Sequence, residues 1–214
     1  MRTVIFVNGV IDDYTQIARW LRPDDHLIAA DGGARHCAAL GLRPAALVGD
    51  LDSIAPELLA AYENAGVAIE RHPPRKDETD LELAVRRAVA DGTDEILLLG
   101  ALGGRLDQTI ANLLLPARLE WPVPILLADG TQLARVLRGG ETVTIHGVPG
   151  DTVSAVPLSA EVTGITYTGL EYPLTDAILP LGSTQGVSNR MIGESATVRI
   201  ASGILLLVQE KNEP

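Results

Sequence analysis

Four stretches hold most of the side chains that do chemistry. Asp31-Gly32-Gly33-Ala34 follows the apolar Ala29-Ala30, and Gly49-Asp50-Leu51-Asp52-Ser53 follows Leu47-Val48. Arg75-Lys76-Asp77-Glu78-Thr79-Asp80 comes shortly after an apolar run at 67–69, and Gly103-Gly104-Arg105-Leu106-Asp107-Gln108 comes shortly after Leu98-Leu99. Asp31, Asp50, Asp52, Asp77, Asp80 and Asp107, brought together, repel one another unless a cation joins them. An oxygen-only ligand set selects a hard cation. Mg²⁺ takes one or two protein carboxylates, several waters and substrate phosphate oxygens. Glycines allow close backbone approach, helix N-termini offer N–H groups to phosphate, and Lys76, Arg75 and Arg105 add positive charge. In outline this is phosphoryl-transfer chemistry. Taken singly, each piece has an ordinary role: Asp31 as a helix N-cap, Asp77 or Thr79 as a cap on the next helix, Gly103-Gly104 as a turn. Asp50-x-Asp52 has no such role, and the conjunction of four loops carries the reading.

Those loops must meet, so the elements between them matter. Apolar runs at 3–7, 26–30, 45–48, 67–69, 95–99 and 124–128 alternate with helical stretches near 13–21, 33–40, 56–65, 78–91 and 106–119. Leu81, Ala84, Val85, Ala88 and Val89 fall on one helical face. Ile96-Leu97-Leu98-Leu99 reads as a strand buried on both faces. Such alternation predicts a Rossmann-like α/β fold, a mostly parallel sheet with flanking helices. Ligands of such sheets bind where strand order reverses, beyond the strand C-termini, and all four loops lie at that edge. Past residue 137 the chain turns from Ala-rich to Thr-rich. Short strands at 142–145, 152–156, 162–167, 196–200 and 204–208, punctuated by glycine, predict a β-sandwich or barrel. The expected division is an α/β domain at 1–137 and a β domain at 138–214, joined at Arg138-Gly139-Gly140.

Composition bounds the partners. The 214 residues carry 17 Lys+Arg against 28 Asp+Glu, a net charge of −11, which excludes a general nucleic-acid binder. At 46% hydrophobic and 21% charged the chain is globular, and no segment approaches the ~20 apolar residues of a membrane helix. The start, Met1-Arg2-Thr3 before Val4-Ile5-Phe6-Val7, is too short for a signal-peptide core. Cys37 stands alone, so no internal disulfide or cysteine-based zinc site forms. The expected compartment is the cytoplasm. Aromatics make up 3%, so aliphatic residues and Ala must build the core.

With Ser188-Asn189 added, the four motifs in this order and spacing resemble the thiamine pyrophosphokinase family over nearly the whole chain. The resemblance implies an N-terminal α/β domain, a C-terminal β-sandwich, and a homodimer whose active site lies between domains of two chains. It implies transfer of a diphosphoryl group from ATP to thiamine, with Mg²⁺. It assigns Asp50, Asp52 and Asp80 as metal-binding acids, and Arg105 and Asp107 as further catalytic groups. Asp31, Gly32, Gly33, Lys76, Asp77, Gly103, Gly104 and Gln108 would surround the nucleotide, and Ser188 and Asn189 the thiamine. Some members have a tryptophan beside thiamine near the C-terminus, where Gly203-Ile204-Leu205-Leu206-Leu207 has no aromatic.

Two rival enzymes share part of the pattern. A strand followed by Asp50-x-Asp52 also resembles the first motif of haloacid dehalogenase-type phosphatases, with Asp50 as nucleophile. Two strand-helix units precede it here, and Asp129-Gly130 offers one late acid where such enzymes need a pair. A diphosphokinase for another alcohol, such as a hydroxymethyl-pterin, would share the Mg–ATP site and differ in the acceptor pocket. A non-enzymatic nucleotide-binding module has no need of the acids. The chain has neither a Gly-x-x-x-x-Gly-Lys-[Ser/Thr] loop nor a Gly-x-Ser-x-Gly elbow.

Overall fold

The computed structural model describes residues 1–212. The chain divides into two compact units, the first Met1–Gly130 and the second beginning at Thr131.

The first unit runs β1 (Arg2–Phe6), α1 (Tyr14–Ala18), β2 (His26–Ala30), a 3-10 turn (Asp31–Gly33) leading into α2 (Ala34–Ala39), β3 (Ala46–Gly49), α3 (Pro56–Asn64), β4 (Ala68–Arg71), α4 (Asp80–Ala90), β5 (Glu95–Leu99), α5 (Leu106–Leu114) and β6 (Ile125–Asp129). The strands are parallel in the order β6-β5-β1-β2-β3-β4. Thr3 of β1 pairs with His26 on one side and Ile96 on the other. Strand order therefore reverses at β1, and the C-terminal ends of β1, β2 and β5 border the crevice. Val4, Ile5 and Phe6 of β1 and Ile96–Leu99 of β5 are buried, as strands covered on both faces must be. Edge strand β4 is half exposed and carries Glu70 and Arg71.

The helices follow from period and capping. Leu81, Ala84, Val85 and Ala88 of α4 are buried against β1, β2 and β3; Leu81 and Val85 contribute about 1.5–3 kcal/mol each. Thr79 Oγ1 accepts from the Glu82 N–H at 3.2 Å, so α4 starts later than the apolar pattern alone predicts, and Thr79, not Asp77, is its cap. Asp13 caps α1 by accepting from the N–H groups of Thr15 and Gln16. Beyond Leu114 the chain tightens into a 3-10 turn at Leu115–Ala117, where Pro116 lacks an N–H.

The second unit is all β: β7 (Gln132–Arg138), β8 (Thr142–His146), β9 (Thr152–Pro157), β10 (Glu161–Thr168), β11 (Ala177–Pro180), β12 (Asn189–Arg190), β13 (Ser195–Arg199) and β14 (Ile204–Glu210). One antiparallel array is ordered β12-β9-β14-β7 and the other β11-β10-β13-β8. Leu137, Val153, Ala155, Leu205 and Leu207 from the first share a core with Ile145, Val162, Ile165, Leu179 and Val198 from the second. This is a β-sandwich. Strand β7, which lies before the join expected at residue 138, pairs with β14 along its whole length, from Gln132–Glu210 to Arg138–Ile204. It therefore falls in the second unit. Arg138–Glu141 forms the turn between β7 and β8, with Glu141 N–H donating to Arg138 O at 3.0 Å.

Candidate active site

A cavity of about 520 Å³ opens at the C-terminal edge of the parallel sheet, entirely within the first unit. Asn8 and Gly9 beyond β1, Asp31 beyond β2, Asp50 and Asp52 beyond β3, Lys76, Asp77 and Asp80 before and at the start of α4, and Gly103, Gly104 and Arg105 beyond β5 all line it. The four loops singled out by their acids and glycines thus meet in one place.

Within it, Asp31, Asp50 and Asp52 each present an oxygen within 4.8 Å of the others. The backbone here is unusual. Asp31 has φ +47° and Leu51 φ +65°, both rare for side chains other than glycine. Leu51 is buried at 4% exposure and anchors the loop between its two acidic neighbours. Strain of this kind costs about 1–3 kcal/mol per residue and persists where the surroundings impose it. Asp31 is 6% exposed. Its Oδ2 accepts from Asn8 Nδ2 at 3.3 Å, and its buried Oδ1 has no hydrogen-bond partner. A buried carboxylate oxygen lacking a donor is rare. Beside two further carboxylates it fits a hard divalent cation.

Asp80 stands next to this group. Its Oδ1 pairs with Lys76 Nζ at 2.9 Å, and Lys76 also donates to Pro73 O at 3.2 Å. The three-carboxylate group thus contains Asp31, expected around the nucleotide, while Asp80, expected as a ligand, faces a lysine.

The glycines divide by role. A Cβ at Gly32 would lie 2.2 Å from Asn8 Oδ1, and one at Gly33 2.0 Å from Phe6 O. Both positions therefore require glycine for packing. Gly103 (φ +81°) would collide with Val10, whereas Gly104 (φ +71°) faces open space. Arg105 Nη2 pairs with Asp107 Oδ2 at 2.6 Å, both exposed, and that hydrogen bond holds Asp107 below the usual carboxylate range. Arg105 and Gln108 line the cavity; Asp107 lies outside its wall. The Arg105 side chain makes no capping bond at the start of α5, and the Gln108 N–H is met by Asp107 Oδ1 at 3.0 Å.

Residues 17–121 match the family model "Thiamin pyrophosphokinase, catalytic domain", and residues 142–205 match "Thiamin pyrophosphokinase, vitamin B1 binding domain". Thiamine pyrophosphokinase of Bacillus subtilis (strain 168) is 31% identical over 216 residues, covering 98% of this chain and 99% of the relative. The chain belongs to the thiamine pyrophosphokinase family. Crystal structures of thiamine pyrophosphokinase from Bacillus subtilis (TM-score 0.87, 25% identity, all of both chains) and of thiamin pyrophosphokinase from Geobacillus thermodenitrificans (TM-score 0.82, 28% identity, 100% of this chain and 99% of that one) share its fold.

In this thiamine pyrophosphokinase family chain the catalytic-domain match spans Asp31, Asp50, Asp52, Asp80 and Gln108, and the vitamin B1 match spans Ser188 and Asn189. The phosphatase and pterin readings are not favoured. Ser188, in the second unit, is exposed at φ +61°, and its N–H donates to Ser154 Oγ at 3.0 Å. Asn189 is buried at 5% exposure. Its Oδ1 accepts from the N–H groups of Tyr172 (3.0 Å) and Arg190 (2.9 Å), and its Nδ2 donates to Tyr172 O at 2.7 Å. The Asn189 amide is thus engaged in holding the neighbouring backbone.

Two asparagines of the lining escaped the motif reading. Asn112 is buried one helical turn beyond Gln108 and donates to Ala101 O at 2.8 Å; the i, i+4 spacing on α5 was its signal. Asn8 ends the first apolar run as Val7-Asn8-Gly9, a polar residue and a glycine after a strand, as at the other loops. It carries no charge to draw attention.

Proposed function

We propose that this chain transfers the diphosphoryl group of ATP to the hydroxyl of thiamine, giving thiamine diphosphate and AMP, with Mg–ATP in the first unit's cavity. The reading rests on one observation: in a chain of this family, Asp31, Asp50 and Asp52 converge beside Lys76 and Arg105 at the sheet edge. Asp50 and Asp52, joined by Asp31 and flanked by Asp80, would hold Mg²⁺, which when bound neutralises charge on the phosphate oxygens. Lys76 and Arg105 place further positive charge along the diphosphoryl group, with Asp77, Gly103, Gly104 and Gln108 around the nucleotide and Asp107 orienting Arg105.

The thiamine oxygen forms a bond to the β-phosphorus as the bond from that phosphorus to the α–β bridging oxygen breaks. AMP leaves with the bridging oxygen, and the hydroxyl proton passes to a carboxylate or water. No covalent enzyme intermediate forms, so positioning and electrostatics carry the rate. Ser188 serves the acceptor, and Asn189 serves it indirectly, holding the backbone beside Ser188. The segment Leu181–Asn189 has no charged residue, which suits a cationic thiazolium and a neutral aminopyrimidine.

The same reading makes the protein a cytoplasmic homodimer. Leu106, Ile110 and Leu114, one turn apart on α5, are 75%, 49% and 46% exposed, an apolar stripe suited to a second copy. Sedimentation checks this, and an active monomer at assay concentration contradicts it. No helix among the described residues is long and apolar enough to cross a membrane.

Product analysis after incubation with Mg–ATP and thiamine tests the reaction. AMP with thiamine diphosphate is the expected pair. ADP with thiamine monophosphate would mean attack at the γ-phosphorus and would overturn the assignment.

A further inference from the structure

Behind the carboxylate group lies a polar chain whose two donor residues, Asn8 and Arg35, belong to no motif. Arg35, exposed on α2, reaches back over the end of β1. Its Nη1 donates to Asn8 Oδ1 and, at 3.1 Å, to Gly32 O. Its Nη2 donates to Asn8 O at 3.2 Å and Gly9 O at 2.6 Å. Asn8 Nδ2 in turn donates to Asp31 Oδ2 at 3.3 Å.

We infer that Asn8 and Arg35 are positioning residues that set the orientation of the Asp31 carboxylate within the cation site. The inference rests on reading Asp31, Asp50 and Asp52 as that site. An amide between a guanidinium and a carboxylate has one satisfactory orientation, its oxygen toward the cation and its NH₂ toward the anion. Arg35 thereby fixes which end of Asn8 meets Asp31. Asn8 occupies Oδ2, which leaves the buried Oδ1 as the oxygen without a protein partner. The device also explains Gly32, whose absent Cβ would fall 2.2 Å from Asn8 Oδ1 and 2.5 Å from Asn8 Cγ. Arg35 suits the task because its planar fork engages several oxygens at once, which a lysine ammonium does not reproduce. Groups that orient metal-binding side chains typically change metal affinity by ~10- to 100-fold when removed.

The test is Mn²⁺ titration of the nucleotide-free full chain, followed by electron paramagnetic resonance, for wild type, Asn8→Leu, Arg35→Met and Arg35→Lys. Asn8→Leu keeps the shape and removes both hydrogen-bonding ends. Arg35 lies on the surface, so its variants carry the test if Asn8→Leu does not fold. The expected result is a Mn²⁺ Kd raised ~10- to 100-fold in Asn8→Leu and at least several-fold in Arg35→Met. Arg35→Lys should not restore wild-type affinity, and the thiamine KM should stay near wild type. Wild-type Mn²⁺ affinity in folded Asn8→Leu or Arg35→Met overturns the proposal, as does a rise in thiamine KM matching the loss of Mn²⁺ binding. If wild type binds Mn²⁺ but makes no thiamine diphosphate, the reaction assignment fails while the positioning role stands.

Discussion

Gly49 stands where any side chain would press on Asp80: a Cβ there would lie 3.0 Å from both Asp80 Cγ and Oδ1, and 3.2 Å from Asp31 Cβ. Its φ of +147° is also one that side-chain-bearing residues rarely adopt. The start of α4 and the ends of β2 and β3 therefore approach closely only because residue 49 is glycine.

Gly49→Ala should destabilise through backbone strain and through overpacking, each worth about 1–3 kcal/mol. The urea midpoint should fall with an unchanged slope, and turnover should fall further than the unfolded fraction explains. An Ala variant with wild-type midpoint and kcat would show that the three segments adjust freely.

Asp50→Asn and Asp52→Asn should each lower kcat by at least ~100-fold, because charge stabilisation through a held cation is worth several kcal/mol and every ~1.4 kcal/mol is tenfold in rate. The half-saturating Mg²⁺ concentration should rise in both. Near-normal turnover at limiting Mg²⁺ would remove these acids from the cation site. Asp80→Asn should cost less, since Asp80 already has a cationic partner in Lys76.

Asp129 is a group whose burial costs stability at neutral pH. Burial, then the charge of Asp12, raises its pKa above the usual carboxylate range. A raised folded-state pKa means that the native state binds more proton than the unfolded state, so stability falls as pH rises from the ordinary Asp value through the raised one. Asp129→Asn should raise Tm at pH 7–8, and the gain should shrink as pH falls through about 4, the range in which Asp becomes neutral in the unfolded state as well. An equal gain at both pH values would assign the effect to packing.

Ser188→Ala should raise the thiamine KM roughly 2- to 13-fold, the loss of one neutral hydrogen bond of ~0.5–1.5 kcal/mol, and leave the ATP KM alone. Asn189→Ala should act through stability as well. It frees the Tyr172 N–H and C=O from a buried partner, at about 1–3 kcal/mol. A weakened ATP KM with unchanged thiamine KM in Ser188→Ala would reverse the assignment of the two units.

The sequence alone determined the alternation of strands and helices, the sandwich that follows, and the placement of acids and glycines after strands. These are local matters of period, capping and turn chemistry. The run Glu95–Leu99 is a strand with the bounds that its apolar pattern predicts. The ordered motifs also sufficed for the family. Tertiary structure decided which groups touch. Asp31 joins Asp50 and Asp52 because β2 and β3 are parallel neighbours that end side by side, Ala30 opposite Val48, while β1 between β2 and β5 brings the Gly103–Arg105 loop to the same crevice, a pairing of residues far apart in the chain that no local pattern encodes. Asp80, the first residue of α4 after the Thr79 cap, faces Lys76 four residues before it. Gly32 and Gly33 look like phosphate-loop glycines in sequence, yet the side chain of Asn8 and the carbonyl of Phe6 occupy the space beside them. Strand β7 follows the same logic: its partner β14 is the last strand of the chain, so only long-range pairing assigns it to the second unit.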